Sequence, residues 1–170
     1  MADRFPSEIH IGGTLRVIDH DPDDIDAFLA ECSEQPTEWC EPSPPGTLTL
    51  DTIDKVIDQE TGLIIFRDDQ ARYGAFEELE EACRKLGLSY ERISEAKYEY
   101  DGEVVNWRPG MEQPLVEKAD QSGNALIDRE RVEACLATLK AGRVEDGIKA
   151  LQDLVPDIAP LAKFEVDAGT

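Results

Sequence analysis

From the N-terminus, the hydrophobic positions first alternate. Ile9, Ile11 and Leu15 stand among polar residues between Glu8 and Val17, the period of a half-buried strand, and Gly12-Gly13 marks a bend or bulge. The period then lengthens: Ile25, Phe28, Leu29 and Cys32 recur at i, i+3, i+4 and i+7, one face of a helix. Asp21 is suited to be its N-cap, Pro22 fits the first helical position, and Asp23 and Asp24 suit the positive end of the dipole. Pro36, Pro42, Pro44 and Pro45 cannot continue a helix, so Gln35 to Gly46 is predicted as a surface loop within one domain.

Beyond the loop, Leu50, Ile53, Val56 and Ile57 predict a second helix over Thr49 to Gln59, ended by Gly62. Leu63 to Phe66 is a continuous apolar run, which predicts a central strand covered on both faces. Ala75 to Leu86 carries the strongest helical pattern, with Phe76, Leu79, Ala82, Cys83 and Leu86 inward and Glu77, Glu78, Glu80 and Glu81 mostly outward; Gly87 is its expected C-terminal cap. Ser89 to Ile93 returns as a strand. Asp101-Gly102 then signals a hairpin over Ala96 to Trp107, in which Tyr98 faces Val105 and Ala96 faces Trp107. Another strand follows at Leu115 to Ala119. A turn at Gln121 to Asn124 leads to helices over Arg129 to Ala141, capped by Asp128, and from Gly142 onward with Val144, Ile148, Leu151 and Val155.

These elements predict an α+β fold: a mixed sheet with a central β-α-β-β unit, covering helices and a C-terminal helical hairpin. Residues 1–124 form the sheet domain core, and 125–170 form the hairpin and tail packed on the same domain. A length of 170 residues and a hydrophobic share of 41% suffice for one well-filled core. Four cysteines without a CxxC pair, three of them on apolar helix faces, suit a reducing compartment. The opening MADRFPSEIH shows no basic region followed by an apolar core, and no run approaches the length of a membrane span, so the expected location is the cytoplasm.

Candidate chemistry is tested first at Val17 to Asp26, VIDHDPDDID. Asp19, Asp21 and Asp23 alternate as in a calcium loop, but the sixth position is Asp24 where glycine is needed, and the twelfth is Ala30 where a glutamate is needed. His10, His20, Cys32 and Cys40 are zinc-binding types at gaps that match no finger or ribbon. No serine elbow, zincin helix, phosphate loop or dinucleotide turn is present. Tyr98, Tyr100 and Trp107 could stack bases on a sheet face, but the neighbouring Glu95, Glu99, Asp101 and Glu103 favour core packing. No metal, cofactor or catalytic residue is therefore expected.

Charge changes the picture most. With 38 acidic and 17 basic side chains the formal charge is -21, which disfavours direct binding to nucleic acid or anionic membranes. The acids crowd two helices: Asp21, Asp23, Asp24, Asp26, Glu31 and Glu34 on one, Glu77, Glu78, Glu80 and Glu81 on the other. Like charges three or four apart on a helix cost a few tenths of a kcal/mol per pair, a cost that a lysine- and arginine-rich partner would turn into attraction. This profile resembles the small, acidic, motif-poor inhibitors that phages and mobile elements carry against restriction or CRISPR nucleases, several of which are DNA mimics. The resemblance lies in size, charge and mixed α/β organisation over the whole chain. It implies an anti-CRISPR or anti-restriction protein that occupies a basic, nucleic-acid-binding protein surface through those ten residues, without chemistry of its own. The alternatives are a small metal-dependent or acid-base enzyme and an acidic structural domain from a high-salt organism.

Overall fold

The computed structural model describes residues 4–35, 48–96 and 101–169. Its organising element is the long strand β1 (Arg4–Arg16). Strand β2 (Ile64–Arg72) pairs antiparallel with it on one side and β3 (Ser89–Ser94) antiparallel on the other, and β4 (Gly102–Trp107) and β5 (Leu115–Ala119) extend the sheet in the order β2-β1-β3-β4-β5. A short β6 (Phe164–Asp167) runs parallel to Gly13–Arg16, the stretch of β1 that outlasts its antiparallel neighbours, so the sheet is mixed. Among the described residues four α-helices complete the α+β fold: α1 (Pro22–Glu34), α2 (Glu77–Lys85), α3 (Arg129–Lys140) and α4 (Val144–Leu154).

Strand register explains the core. One rung across the sheet aligns Ile64, Ile11, Tyr90 and Trp107, and the next on the same face aligns Phe66, Ile9, Arg92 and Val105. Because strand side chains alternate faces, these rungs form one apolar surface interrupted only by Arg92. Phe28, Leu29 and Cys32 of α1 and Leu79, Ala82 and Cys83 of α2 are buried in the same core. Tyr90 stacks on Trp107 with ring centroids 6.2 Å apart. Since β2 and β3 lie on opposite sides of β1, the chain must cross β1 between them, and α2 makes that crossing.

The helix ends follow local chemistry. Asp21 accepts a hydrogen bond from the Asp23 amide at 3.0 Å and Pro22 opens α1; Asp128 accepts from the amides of Glu130 and Arg131. Gly87 takes a positive φ of 64° after α2, where Leu88 N–H donates to Cys83 O and Gly87 N–H to Arg84 O, the paired bonds of a Schellman stop.

Several sequence expectations are corrected. In place of a helix over Thr49 to Gln59 there is a single 3-10 turn, Ile53–Val56, after which Ile57 bridges back to Ile64. Leu50, Ile53 and Val56 are spaced by three, which serves a 3-10 turn as well as an α-helix. The run Leu63 to Phe66 opens an edge strand, not a central one: Ile64 and Phe66 are buried while Leu63 and Ile65 are half-buried. Polar Arg67 to Gln70 continue that edge and blunt it against strand addition. The hairpin about Asp101-Gly102 does not form as predicted. Trp107 pairs with Tyr90, not Ala96, and Val105 lies between Arg92 and Val116; Tyr98 lies outside the described residues. Gly102 lacks the positive φ that such a turn needs and instead starts β4, where a Cβ would approach the Ser94 carbonyl oxygen to 2.8 Å. Strand β6, four residues long, is an element too short for hydrophobic periodicity in the sequence to predict.

Candidate acidic surface

Helices α1 and α2 pack side by side over the sheet, so the two acidic clusters of the sequence meet on one surface. The contact buries Cys32 of α1 and Cys83 of α2, both free thiols whose pKa burial drives upward. Outside that seam, Glu31 of α1 comes within electrostatic reach of Glu78 of α2. Partial burial raises the Glu31 pKa most, followed by repulsion from Glu34 and then from Glu78.

The individual side chains divide clearly. Asp21, Asp23, Asp26, Glu34, Glu77, Glu78 and Glu81 are exposed, and Asp24 and Glu31 are half-exposed. Glu80 is the correction: it is 7% exposed and points into the core. Its carboxylate accepts a hydrogen bond from Phe76 N–H, and Arg92 Nε lies 2.8 Å away, close enough for strong attraction although its N–H is not aligned as a hydrogen bond. Arg92 also donates to the Gly74 carbonyl at 2.6 Å and faces Glu103 at 3.5 Å. Burying a guanidinium among apolar residues demands such partners, and Glu80 is therefore occupied within the fold. The helical pattern alone placed it beside its exposed neighbours; the charged residue at alternate position Arg92 of β3 was the available signal for an inward acid.

Little positive charge dilutes the surface. Helix α1 contains no basic residue. In α2, Arg84 donates to the Tyr90 hydroxyl at 2.8 Å and Lys85 pairs with Glu81 at 3.4 Å. Glu31 and Glu34 also occupy the last turn of α1, the negative end of its dipole, where acids destabilise by about 0.3–1 kcal/mol each. With 13 residues, α1 extends the charged ridge over about 20 Å.

Other candidate chemistry stays dispersed. Among the described residues no cluster of three or more His, Cys, Asp or Glu side chains is placed to hold a metal ion. Asp21 is engaged in its own helix cap, and His10 lies against Glu8 on β1. A depression of about 160 Å³ between Ser7, Glu8, Arg67, Glu95 and Ser122 is smaller than common ligand sites, and the Ser7 hydroxyl there is committed to the carbonyls of Gly74 and Ile93. No described helix is long and apolar enough to cross a membrane. No family model matches the chain, and no curated protein or solved structure matches it either.

Proposed function

We propose that the joined outer faces of α1 and α2 bind a basic, nucleic-acid-handling protein surface, as a DNA-mimicking inhibitor of a nuclease or CRISPR complex would. The observation that carries this reading is the placement of Glu31. It is partly buried, sits at the unfavourable end of its own helix dipole, and faces like charge from Glu34 and Glu78. Acids recruited only for solubility would be spread where they cost nothing. Here local electrostatics is frustrated along one ridge, and such conflicts with local preference concentrate at functional surfaces. A partner lined with lysine and arginine removes the repulsion on binding and is steered in by the field of the chain.

The test is a nuclease or CRISPR-effector DNA-binding competition assay with reversal variants. The wild-type chain is expected to displace DNA. Replacing Asp23, Asp26, Glu31 and Glu34 by lysine is expected to abolish displacement, and so is replacing Glu77, Glu78 and Glu81, since both sets share one surface. Reversal at Glu112 and Asp69, which are exposed elsewhere, is the control and should retain it. Equal inhibition by all variants, or loss with the control alone, sinks the proposal and leaves solvation as the role of the acids.

A further inference from the structure

The helical hairpin presents a second surface of opposite character. Gly147 of α4 lies so close to α3 that a Cβ there would collide with the Leu139 side chain. The two helices are each other's main packing partner, and none of their residues belongs to the core cluster beneath α1 and α2. Leu139 of α3 meets Gly147 of α4, and Cys135, Gly147 and Leu154 are the buried residues of the two helices, which sets the inward line along Cys135 and Leu139 on α3 and along Gly147 and Leu154 on α4. At about 100° of turn per residue, Leu136 falls roughly 80° to one side of that line on α3, and Val144, Ile148 and Val155 fall about 80° to the same rotational side on α4. In antiparallel helices these directions point to the same side of the pair. One flat face of the hairpin therefore carries an apolar strip, continuous on α4 and reduced on α3 to Leu136 among Arg129, Glu133 and Lys140, and the strip is uncovered: Leu136 is 45% exposed, Ile148 48%, Val144 53% and Val155 62%.

Charge decides what can cover it. The chain as a whole carries -21, but residues 129–154 hold equal numbers of acidic and basic side chains, so the hairpin is neutral and the excess lies elsewhere. Another copy of so acidic a chain is repelled by the ridge of α1 and α2 but meets no net charge on the hairpin. A basic partner, in contrast, is drawn to the ridge of α1 and α2 and finds no net charge to recognise on the hairpin. We infer that a second copy of this chain covers the apolar face of α3 and α4, the two hairpins joining about a twofold axis as an antiparallel four-helix bundle. A self-complementary patch of this kind closes on itself and leaves both acidic ridges outside the bundle. Helices of 12 and 11 residues are about 17 Å long, so the face offers a few hundred Å² per copy, below the roughly 800 Å² usual in stable complexes. The pair is accordingly a reversible, concentration-dependent dimer.

Sedimentation velocity on the full chain tests this over a range of concentration and salt. The expected result is a monomer–dimer equilibrium that shifts toward dimer as salt rises, because screening relieves the repulsion between two copies while the apolar contact persists. Ile148→Asp and Val144→Asp should shift it to monomer with unchanged far-UV circular dichroism; Val155→Asp, just past the end of α4, should do the same without entering the helix. Glu78→Lys should leave the hairpin contact intact. The inference is overturned by a chain that stays monomeric at the highest attainable concentration, by a dimer that survives Val155→Asp, or by a dimer that dissociates as salt rises. None of these outcomes depends on whether the acidic ridge displaces DNA.

Discussion

Glu80 and Arg92 face each other across the helix–sheet boundary at 2.8 Å, each with less than a tenth of its side chain exposed. The pair explains how an arginine occupies the apolar rung between Ile9 and Val105, and why one acid of the α2 cluster is lost to the surface. Truncating one member leaves the other charged and buried, which typically costs about 3–5 kcal/mol. Glu80→Ala is expected to lose that much in urea denaturation, whereas Glu78→Ala on the exposed face should stay within about 0.5 kcal/mol. Equal effects at the two positions would place Glu80 outside the core.

Glu31 gives a pH prediction of unusual sign for a carboxylate. Its pKa is raised in the folded protein, by partial burial first and then by Glu34 and Glu78. The folded state thus holds the proton more tightly than the unfolded chain. Its favourable contribution is fully present below the unfolded carboxylate pKa and is lost as pH rises through the higher folded value. Glu31→Gln should therefore increase stability at neutral pH, with the gain vanishing in acid. Asp58 and Asp120 behave oppositely: the Thr61 hydroxyl and amide hold Asp58 low, and the Asn124 side chain and amide hold Asp120 low. Their stabilising effect is present above the unfolded pKa and lost as pH falls through the folded one. A carboxyl-detected NMR titration should find Glu31 above its ordinary midpoint and both aspartates below theirs; a Glu31 midpoint below the ordinary range would contradict the crowding of the ridge.

Local signals carried much of this fold. Asp21 and Asp128 as caps, Gly87 as a stop, and the apolar stripes of α1, α2, α3 and α4 all depend on residues within a turn or two of one another, so a single sequence displays them. Pairing was not displayed. Whether Trp107 meets Ala96 or Tyr90, and whether Leu63 to Phe66 lies at the centre or the edge, depends on strands distant in sequence, and an apolar run reads alike in both positions. The acidic surface was half legible for the same reason. Its residues were visible on two helices, but the meeting of Glu31 with Glu78 follows from packing at Cys32 and Cys83, and the inward turn of Glu80 follows from Arg92.

Helix α1 depends on its cap more than most, since it has no basic side chain to offset the acids at its C-terminal end. Asp21 accepts the Asp23 amide at 3.0 Å, and Asp21→Ala should cost about 0.5–2 kcal/mol. Asp21→Asn preserves the acceptor and should cost much less, a contrast that separates capping from charge. Thermal denaturation of the two variants checks it: equal losses would mean that the carboxylate charge, not the hydrogen bond, supports the helix start.

Strand β6 shows how one side chain can fix an element that periodicity does not announce. It has only four residues, of which Phe164 is buried and the remaining three are exposed. Phe164 stacks on Phe28 of α1 at 6.3 Å between ring centroids, and its N–H donates to the Gly62 carbonyl at 2.8 Å. The core contact thus brings the strand to the free margin of β1, where Gly13 opposes Phe164 and a Cβ at Gly12 would collide with the Ala162 carbonyl. Phe164→Ala removes the only deeply buried side chain of β6, and truncations of this kind cost about 3–5 kcal/mol. The loss should be uneven. Without its anchor β6 should detach first, so amide hydrogen exchange is expected to accelerate in Gly13 to Arg16 and in Phe164 to Asp167, with the Ile9 to Ile11 segment between β2 and β3 changing only as global stability falls. Uniform acceleration across β1 would show instead that Phe164 supports the whole core and that β6 does not unfold as a separate unit.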